Sequence, residues 1–276
     1  MYRFTERRRQ EDVPGGDTVL YDVDDVTNYR LPTFGNTFEQ SKSIYNHLPD
    51  LKLRDDDIFL NSFPKTGANW LWEMMNVILN RLDDITGDVK DAKRKRLKCI
   101  FVVRNPKDVA VSFYNHTVNL CMYDYKGKFE NYLQMFMRGE TDYGSYPQYL
   151  LEWQQFITEN PDWPIHIMYY ENMKADCFGE LKKLFKFLEQ DVSDDDIADV
   201  VKKCDFNRMR KMKGTLFTAD QQEIFKGVYR TGFTDIMRKG EIGDWKNWFT
   251  VAQNELFDAW WADQTKDLNM FSFTYE

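Results

Sequence analysis

The chain has 276 residues, 42% of them hydrophobic and 16% aromatic, which excludes overall disorder and gives enough apolar surface for one large domain. A net charge of −8 argues against broad nucleic-acid binding, which leaves a basic footprint, so an anion would have to be held locally by a few placed cations and amides. Four cysteines (Cys99, Cys121, Cys177, Cys204) lie far apart with no CxxC pair, against a zinc site or disulfide scaffold, and no segment reaches the ~18 uninterrupted apolar residues of a membrane helix.

The N-terminus, MYRFTERRRQEDV, is too charged for a signal peptide, so a cytoplasmic location with reduced thiols is expected. Residues 1–30 mix Arg7, Arg8 and Arg9 with acidic runs and PGG and are predicted to form a flexible arm ahead of a single domain over 31–276. DDIFLNSF (56–63) reads as a buried strand. ANWLWEMMNVILNRL (68–82) reads as a helix whose apolar stripe runs through Trp70, Met74, Val77 and Ile78. A charged stretch, 83–98, follows. CIFVVRNP (99–106) is apolar on both faces, as a parallel sheet demands, and a helix starts at Pro106 with Asp108 favourable to its dipole. WPIHIMYYENM (163–173) is a third strand ending in Tyr170 and Glu171, and DCFGELKKLFKFLEQ (176–190) an amphipathic helix. SDDDIADVVKKC (193–204) opens with a capping-box pattern, Ser193 with Asp196, and a last helix starts at about Val251. Alternating strands and helices without internal repeats predict an α/β fold, a central parallel sheet flanked by helices.

Three stretches carry chemistry. FPKTGANW puts Lys65 at a strand-to-helix turn, where helix-terminal amides already favour an anion, although the full GxxxxGK[ST] loop is absent and a solvated turn lysine is the rival reading. VVRNPKDVAVS places Arg104 at the end of a buried strand with Ser112 on the following helix, both able to reach a ligand above the carboxyl ends of parallel strands; a structural ion pair is the alternative for Arg104. Arg238, Lys239 and Gly240 suit a phosphate monoester, which Arg can grip bidentately, or form a plain cationic loop.

In this order FPKTGANW, FVVRNPKDVAVSFYNH, YYENMKAD and MRKGEIGDWKNWFTVAQNE, together with FMRGETDYGSYPQYLLEW at 136–153, resemble the cytosolic sulfotransferase family over about residues 40–272. The resemblance implies a P-loop-like sulfotransferase fold. It also implies transfer of a sulfuryl group from 3′-phosphoadenosine 5′-phosphosulfate (PAPS), leaving 3′,5′-adenosine diphosphate (PAP), to a hydroxyl or amine of a small, aromatic or steroid-like acceptor. Lys65 and the amides of Thr66, Gly67, Ala68, Asn69 and Trp70 resemble the family's phosphosulfate loop, with Trp70 near the adenine. Arg104 and Ser112 resemble one clamp on the 3′-phosphate, and Met237, Arg238, Lys239 and Gly240 the other. Tyr170 and Phe206 match adenine-contact positions, with Cys204 or Asp205 where the family has a small hydroxyl residue. Lys65 is the expected catalytic group, stabilising charge on the leaving phosphate oxygen. No metal is implied, because a sulfuryl group carries less charge than a phosphoryl group. Lys246, Thr250, Val251 and Glu255 resemble the family's dimer motif, and neither nucleic acid nor membrane is an expected partner.

The chain departs from the family at the base. Members carry a catalytic histidine on an additional strand between the phosphosulfate loop and the RN of VVRN, but here Lys65 and Arg104 are only 39 positions apart and residues 83–98 contain no histidine. The base, its strand and part of the acceptor pocket are therefore expected to be missing, leaving a gap in the sheet to be closed. Of the three histidines, His47 precedes the loop, His166 falls in a core strand, and His116, a turn beyond Ser112, is the candidate to substitute as the base. The alternative expectation is accordingly a catalytically impaired relative that binds PAPS or PAP. A P-loop kinase is disfavoured by the lack of GxxxxGK[ST] and of an assignable Mg²⁺-holding aspartate.

Overall fold

A computed structural model of the chain describes residues 7–10, 15–16, 19–23, 30–31, 38–47, 50, 52–54, 57–82, 97–209, 230 and 238–276. Most of the charged link at 83–98, and Met237, lie outside the described residues.

The centre is a parallel sheet of β4 (Ile58–Ser62), β5 (Lys98–Val103) and β6 (Ile165–Tyr169), in the order β4-β5-β6. Its register sets Phe59 beside Cys99 and Phe101 beside Ile167. The sheet gap expected from the short link does not occur between these strands, since β4 pairs directly with β5. On β5 the period-2 alternation is complete: Phe101 and Val103 enter one apolar core while Ile100 and Val102 enter the other. Burial on both faces explains why this strand reads as an unbroken apolar run.

One layer of helices packs on each face. α2 (Ala68–Leu82), α6 (Tyr170–Ala175), α7 (Cys177–Leu188) and α8 (Asp194–Lys203) bury Leu71, Met74, Ile78, Leu181, Leu184 and Ile197 against Ile100 and Val102. The other face carries α3 (Pro106–Asn119), α4 (Phe129–Met137), α5 (Tyr146–Glu159) and α9 (Val251–Gln264) around Phe113, Phe136, Leu150 and Phe257. Each fully buried side chain of this size contributes about 1.5–3 kcal/mol. In the N-terminal stretch expected as an arm, β1 (Arg7–Gln10) and β2 (Val19–Val23) pair antiparallel, β3 (Arg30–Leu31) adds to β2, and Val19 and Tyr21 are buried in this second core. α1 (Phe38–His47) precedes β4.

Two predicted strands end early for a reason visible in the contacts. Asn105 accepts from the Asp108 amide and caps α3, so β5 stops at Val103. Tyr170 and Glu171 do not extend β6 but open α6; the buried Glu171 carboxylate accepts from the Asn105 amide at 2.9 Å and its Nδ2 at 3.0 Å, a bond that requires the chain to turn there. Ser193 caps α8 by accepting from the Asp196 amide, while its hydroxyl donates to the Asp196 carboxylate at 2.5 Å. The complete reciprocal capping box belongs to α9, between Thr250 and Gln253.

Candidate functional site

At the carboxyl ends of β4 and β5 a cavity of about 370 Å³ opens, the place where open parallel sheets bind ligands. The β4–α2 turn forms its floor. Lys65, which lines the cavity, holds a left-handed φ of 72°, a conformation that costs a residue with a Cβ about 1–2 kcal/mol. Gly67 follows at φ 108°, where an added Cβ would stand 2.6 Å from the Tyr170 ring. Only glycine lets the turn pass under that ring. Ala68, Asn69 and Trp70 then form the first turn of α2 and all three line the cavity; the Trp70 amide donates to the Gly67 carbonyl at 3.0 Å, while the first two amides have no partner within the helix.

Arg104, buried where β5 ends, ties the site together. Its Nη1 donates to the Lys65 carbonyl at 3.3 Å and its Nη2 to the Glu241 carbonyl at 3.1 Å, while its guanidinium lies 4.1 Å from the Tyr170 ring centre. Nη2 is also 3.8 Å from Asp108, so the rival reading, a structural ion pair, holds in part. The Arg104 Nε, however, is buried with no hydrogen-bond partner among the described residues, an unused donor beside the cavity.

The third cationic segment is pinned from beneath. Arg238 and Lys239 both engage the buried Asp244, Lys239 at 2.6 Å, and Asn247 and the Trp248 indole donate to the same carboxylate at 3.0 and 3.2 Å. Burial opposes its ionisation, but the hydrogen bonds from Lys239, Asn247 and Arg238 outweigh that and hold Asp244 at about 2. Asp108 anchors the same loop to α3 by accepting from the amides of Gly243 at 2.8 Å and Trp245 at 3.0 Å. Gly240, at φ 68°, lies on the Phe206 ring, 2.2 Å from where a Cβ would sit.

Of the residues singled out in the sequence, Lys65, Gly67, Ala68, Asn69, Trp70, Arg104, Ser112, Tyr170, Phe206, Arg238, Lys239 and Gly240 line this one cavity. Thr66 does not: it is fully buried, and both its hydroxyl and its amide turn inward to the Phe63 carbonyl. Neither Cys204 nor Asp205 lines it; the Cys204 carbonyl accepts from the Trp70 indole at 2.9 Å, and Asp205 accepts from the amides of Asn207 and Arg208. Sequence reasoning missed Asp244 as an organiser and Lys174, whose ammonium stands 5.5 Å over Trp70 and 5.8 Å over Phe206. It missed Tyr143 as a lining residue as well.

Crowding of positive charge perturbs the site. Burial first, then the charges of Arg104 and Arg238, bring the Lys65 ammonium down to about 8. His116 also lines the cavity, with Nδ1 3.4 Å from Lys65 Nζ. A cationic, aromatic-walled cavity with no lining carboxylate among the described residues suits a polyanion with a flat ring.

A sulfotransferase domain model matches residues 85–269. The chain belongs to the sulfotransferase family. Mouse sulfotransferase 1A1 is 28% identical over 272 residues, spanning 83% of this chain and 89% of its own. Dog sulfotransferase 1B1 is 28% identical, spanning 82% and 87%, and rabbit amine sulfotransferase 25% identical, spanning 89% and 93%. Among solved structures, mouse sulfotransferase SULT7A1 complexed with PAP superimposes with a TM-score of 0.66 at 24% identity, covering 88% of this chain and 93% of its own. Retinol dehydratase in complex with androsterone and the inactive cofactor PAP gives 0.70 at 16% identity, covering 98% and 99%. At those identities the likeness concerns the fold, and it places this sulfotransferase among P-loop-like α/β folds with a parallel central sheet. Among the described residues no helix is long and apolar enough to cross a membrane, and no cluster of three or more His, Cys, Asp or Glu could hold a metal.

Proposed function

We propose that the cavity holds PAPS and that this sulfotransferase moves its sulfuryl group to a hydroxyl or amine of a small, aromatic or steroid-like acceptor, releasing PAP. The observation that carries the reading is the meeting of cations from three distant segments, Lys65, Arg104 and the Arg238–Lys239 pair, around one cavity. PAPS supplies an activated sulfuryl group on a phosphate; positioning and charge stabilisation come from the chain. The residues fit such a molecule. The unused Nε of Arg104 offers a donor to an anion, the leading amides of α2 offer more, and Trp70, Tyr170 and Phe206 supply aromatic faces.

Lys65 stabilises the charge that develops on the leaving phosphate oxygen, acting as a fixed cation that need not reorganise. Arg104 with Ser112, and Arg238, Lys239 and Gly240 with Met237 beside them in sequence, grip the 3′-phosphate. Androsterone in retinol dehydratase favours an apolar acceptor for this relative too. Lys246, Thr250, Val251 and Glu255 form the contact of a homodimer; Val251, 77% exposed, and Leu256, 57% exposed, offer it apolar surface. The enzyme works in the cytoplasm.

The second reading, a relative that binds PAP without turnover, rests on the absence of histidine in 83–98. Both are tested by calorimetry with PAP alongside transfer of labelled sulfate from PAPS to a panel of phenols. Binding with transfer is expected; binding alone selects the second reading, and no binding defeats both.

A further inference from the structure

Transfer to a hydroxyl releases a proton, and a well-placed general base accelerates such a step by about 10²- to 10⁴-fold. The link between α2 and β5 supplies no histidine for it. His47 is on exposed α1 with its Nδ1 2.7 Å from the Ser43 carbonyl. His166 is stacked on Phe187 in β6, away from the cavity. The ionisable groups that do line the cavity are cations, the phenols of Tyr143 and Tyr170, and His116. Among the described residues no Asp or Glu lines it, and a neutral imidazole is the one lining group of a type suited to take a proton near neutral pH.

His116 stands one helical turn beyond Ser112 on α3, so both point to the same side of the helix. Its Nδ1 faces the Lys65 ammonium at 3.4 Å, longer than an ordinary N–H···N contact and therefore weak and readily given up. With Lys65 donating, Nδ1 carries the lone pair and Nε2 the proton. The ring is walled by Phe113 and, edge-on at 6.0 Å, by Tyr123, whose hydroxyl donates to Asp142 rather than to the imidazole. Burial first, then the Lys65 charge, hold the imidazole's pKa well below its usual range, so the ring is neutral, and drawing Lys65 away raises its basicity.

We infer that Nδ1 of His116 is the general base of the transfer, supplied by α3. The inference rests on the PAPS reading above. As the acceptor oxygen bonds to sulfur, the bond between sulfur and the phosphate oxygen breaks. The hydroxyl proton passes to Nδ1, and the electron pair leaves with the phosphate oxygen, whose charge Lys65 meets once it has released Nδ1. The imidazolium then returns its proton to solvent.

His116→Ala and His116→Gln test this, each measured for PAP affinity, thermal unfolding and turnover. Expected are PAP affinities within about threefold of the parent and kcat reduced about 10²- to 10⁴-fold. The loss should shrink for acidic phenols such as 4-nitrophenol, and added imidazole should restore part of the rate of His116→Ala. The acidic limb of the kcat–pH profile, set in the parent by His116 facing Lys65 and Tyr123, should vanish in both variants. Independently of activity, nitrogen-15 NMR should find Nδ1 unprotonated at neutral pH, with a resonance that moves when PAP draws Lys65 away. Full turnover in both variants overturns the inference. So does parallel loss of PAP binding and turnover in both, or a parent that binds PAP yet transfers to no phenol. A parent that does not bind PAP removes the donor reading and this inference with it.

Discussion

A single lysine in this site is costly to the ligand-free fold. The Lys65 ammonium is brought to about 8 by burial and by Arg104 and Arg238, whereas in the unfolded chain it titrates near 10.5. Between those values the unfolded state holds the extra proton, so the stability of the parent rises with pH across that interval. Lys65→Met should therefore be more stable than the parent at pH 7, by about 2 kcal/mol, an advantage complete below pH 8 and gone above 10.5, while turnover collapses. Denaturant melts at pH 7 and 10.5 check this; an unchanged difference at the two values overturns it. Asp244 behaves in the opposite sense. Held at about 2 against burial by Lys239, Asn247 and Arg238, it stabilises the fold fully above its ordinary 3.8 and loses that contribution as pH falls toward 2. Asp244→Asn should cost about 3 kcal/mol at pH 7, narrow the gap to the parent below pH 4, and weaken PAP binding about tenfold by releasing both cations. Equal PAP affinity in the variant would show that Asp244 does not organise the clamp.

At the scale of elements, local patterns in the sequence specify some boundaries, and non-local contacts set others that it does not show. α2 begins at Ala68 and ends at Leu82, as its apolar stripe predicts, and α9 starts at Val251 where Thr250 caps it. β5 was legible because burial on both faces leaves no polar position between Cys99 and Val103. The turn at Tyr170 was hidden, since MYYE continues an apolar run and only the distant Asn105 shows why Glu171 leaves the strand. The pairing of β1 with β2 was hidden likewise, because RRRQ has no alternation to betray it. The lining residues from Lys65 to Arg104 were visible because a charge at a strand end is conspicuous. Asp108 and Asp244 were not, as an aspartate early in a helix or turn has an ordinary explanation. Asp108 is the joint between two elements, and Asp108→Ala would leave the amides of Gly243 and Trp245 without their acceptor. The expected loss is about 2–4 kcal/mol of stability, at roughly 1–2 kcal/mol for each of two half-buried amides, together with weaker PAP binding from the unmoored loop. Chemical denaturation and calorimetry measure both, and a stable variant with parental affinity would place the anchor elsewhere.

Among the described residues a sheet divides two apolar cores, and the cavity opens at its carboxyl edge, where Tyr170 and Met209 of one core form part of the lining. Its walls come from chain segments far apart in sequence: the turn after β4, the end of β5, the start of α6 and the loop at 238–243. What holds them together without ligand is polar, chiefly Arg104 spanning the carbonyls of Lys65 and Glu241, and it holds cations near cations. Such an arrangement is under electrostatic tension that a polyanion relieves, so ligand binding should add to global stability through the same contacts that define affinity. At a PAP concentration of about 100 Kd the gain is about 2.7 kcal/mol, and at roughly 2–4 °C per kcal/mol for a chain of this size the melting temperature should rise by about 5–10 °C. Adenosine, which has the ring but neither phosphate, should give little shift, and Arg104→Ala should lose most of the PAP-induced rise. Thermal unfolding with each ligand at matched concentration measures it. If adenosine and PAP shifted the midpoint equally, the aromatic walls would be the binding determinant and the three cationic segments would be bystanders.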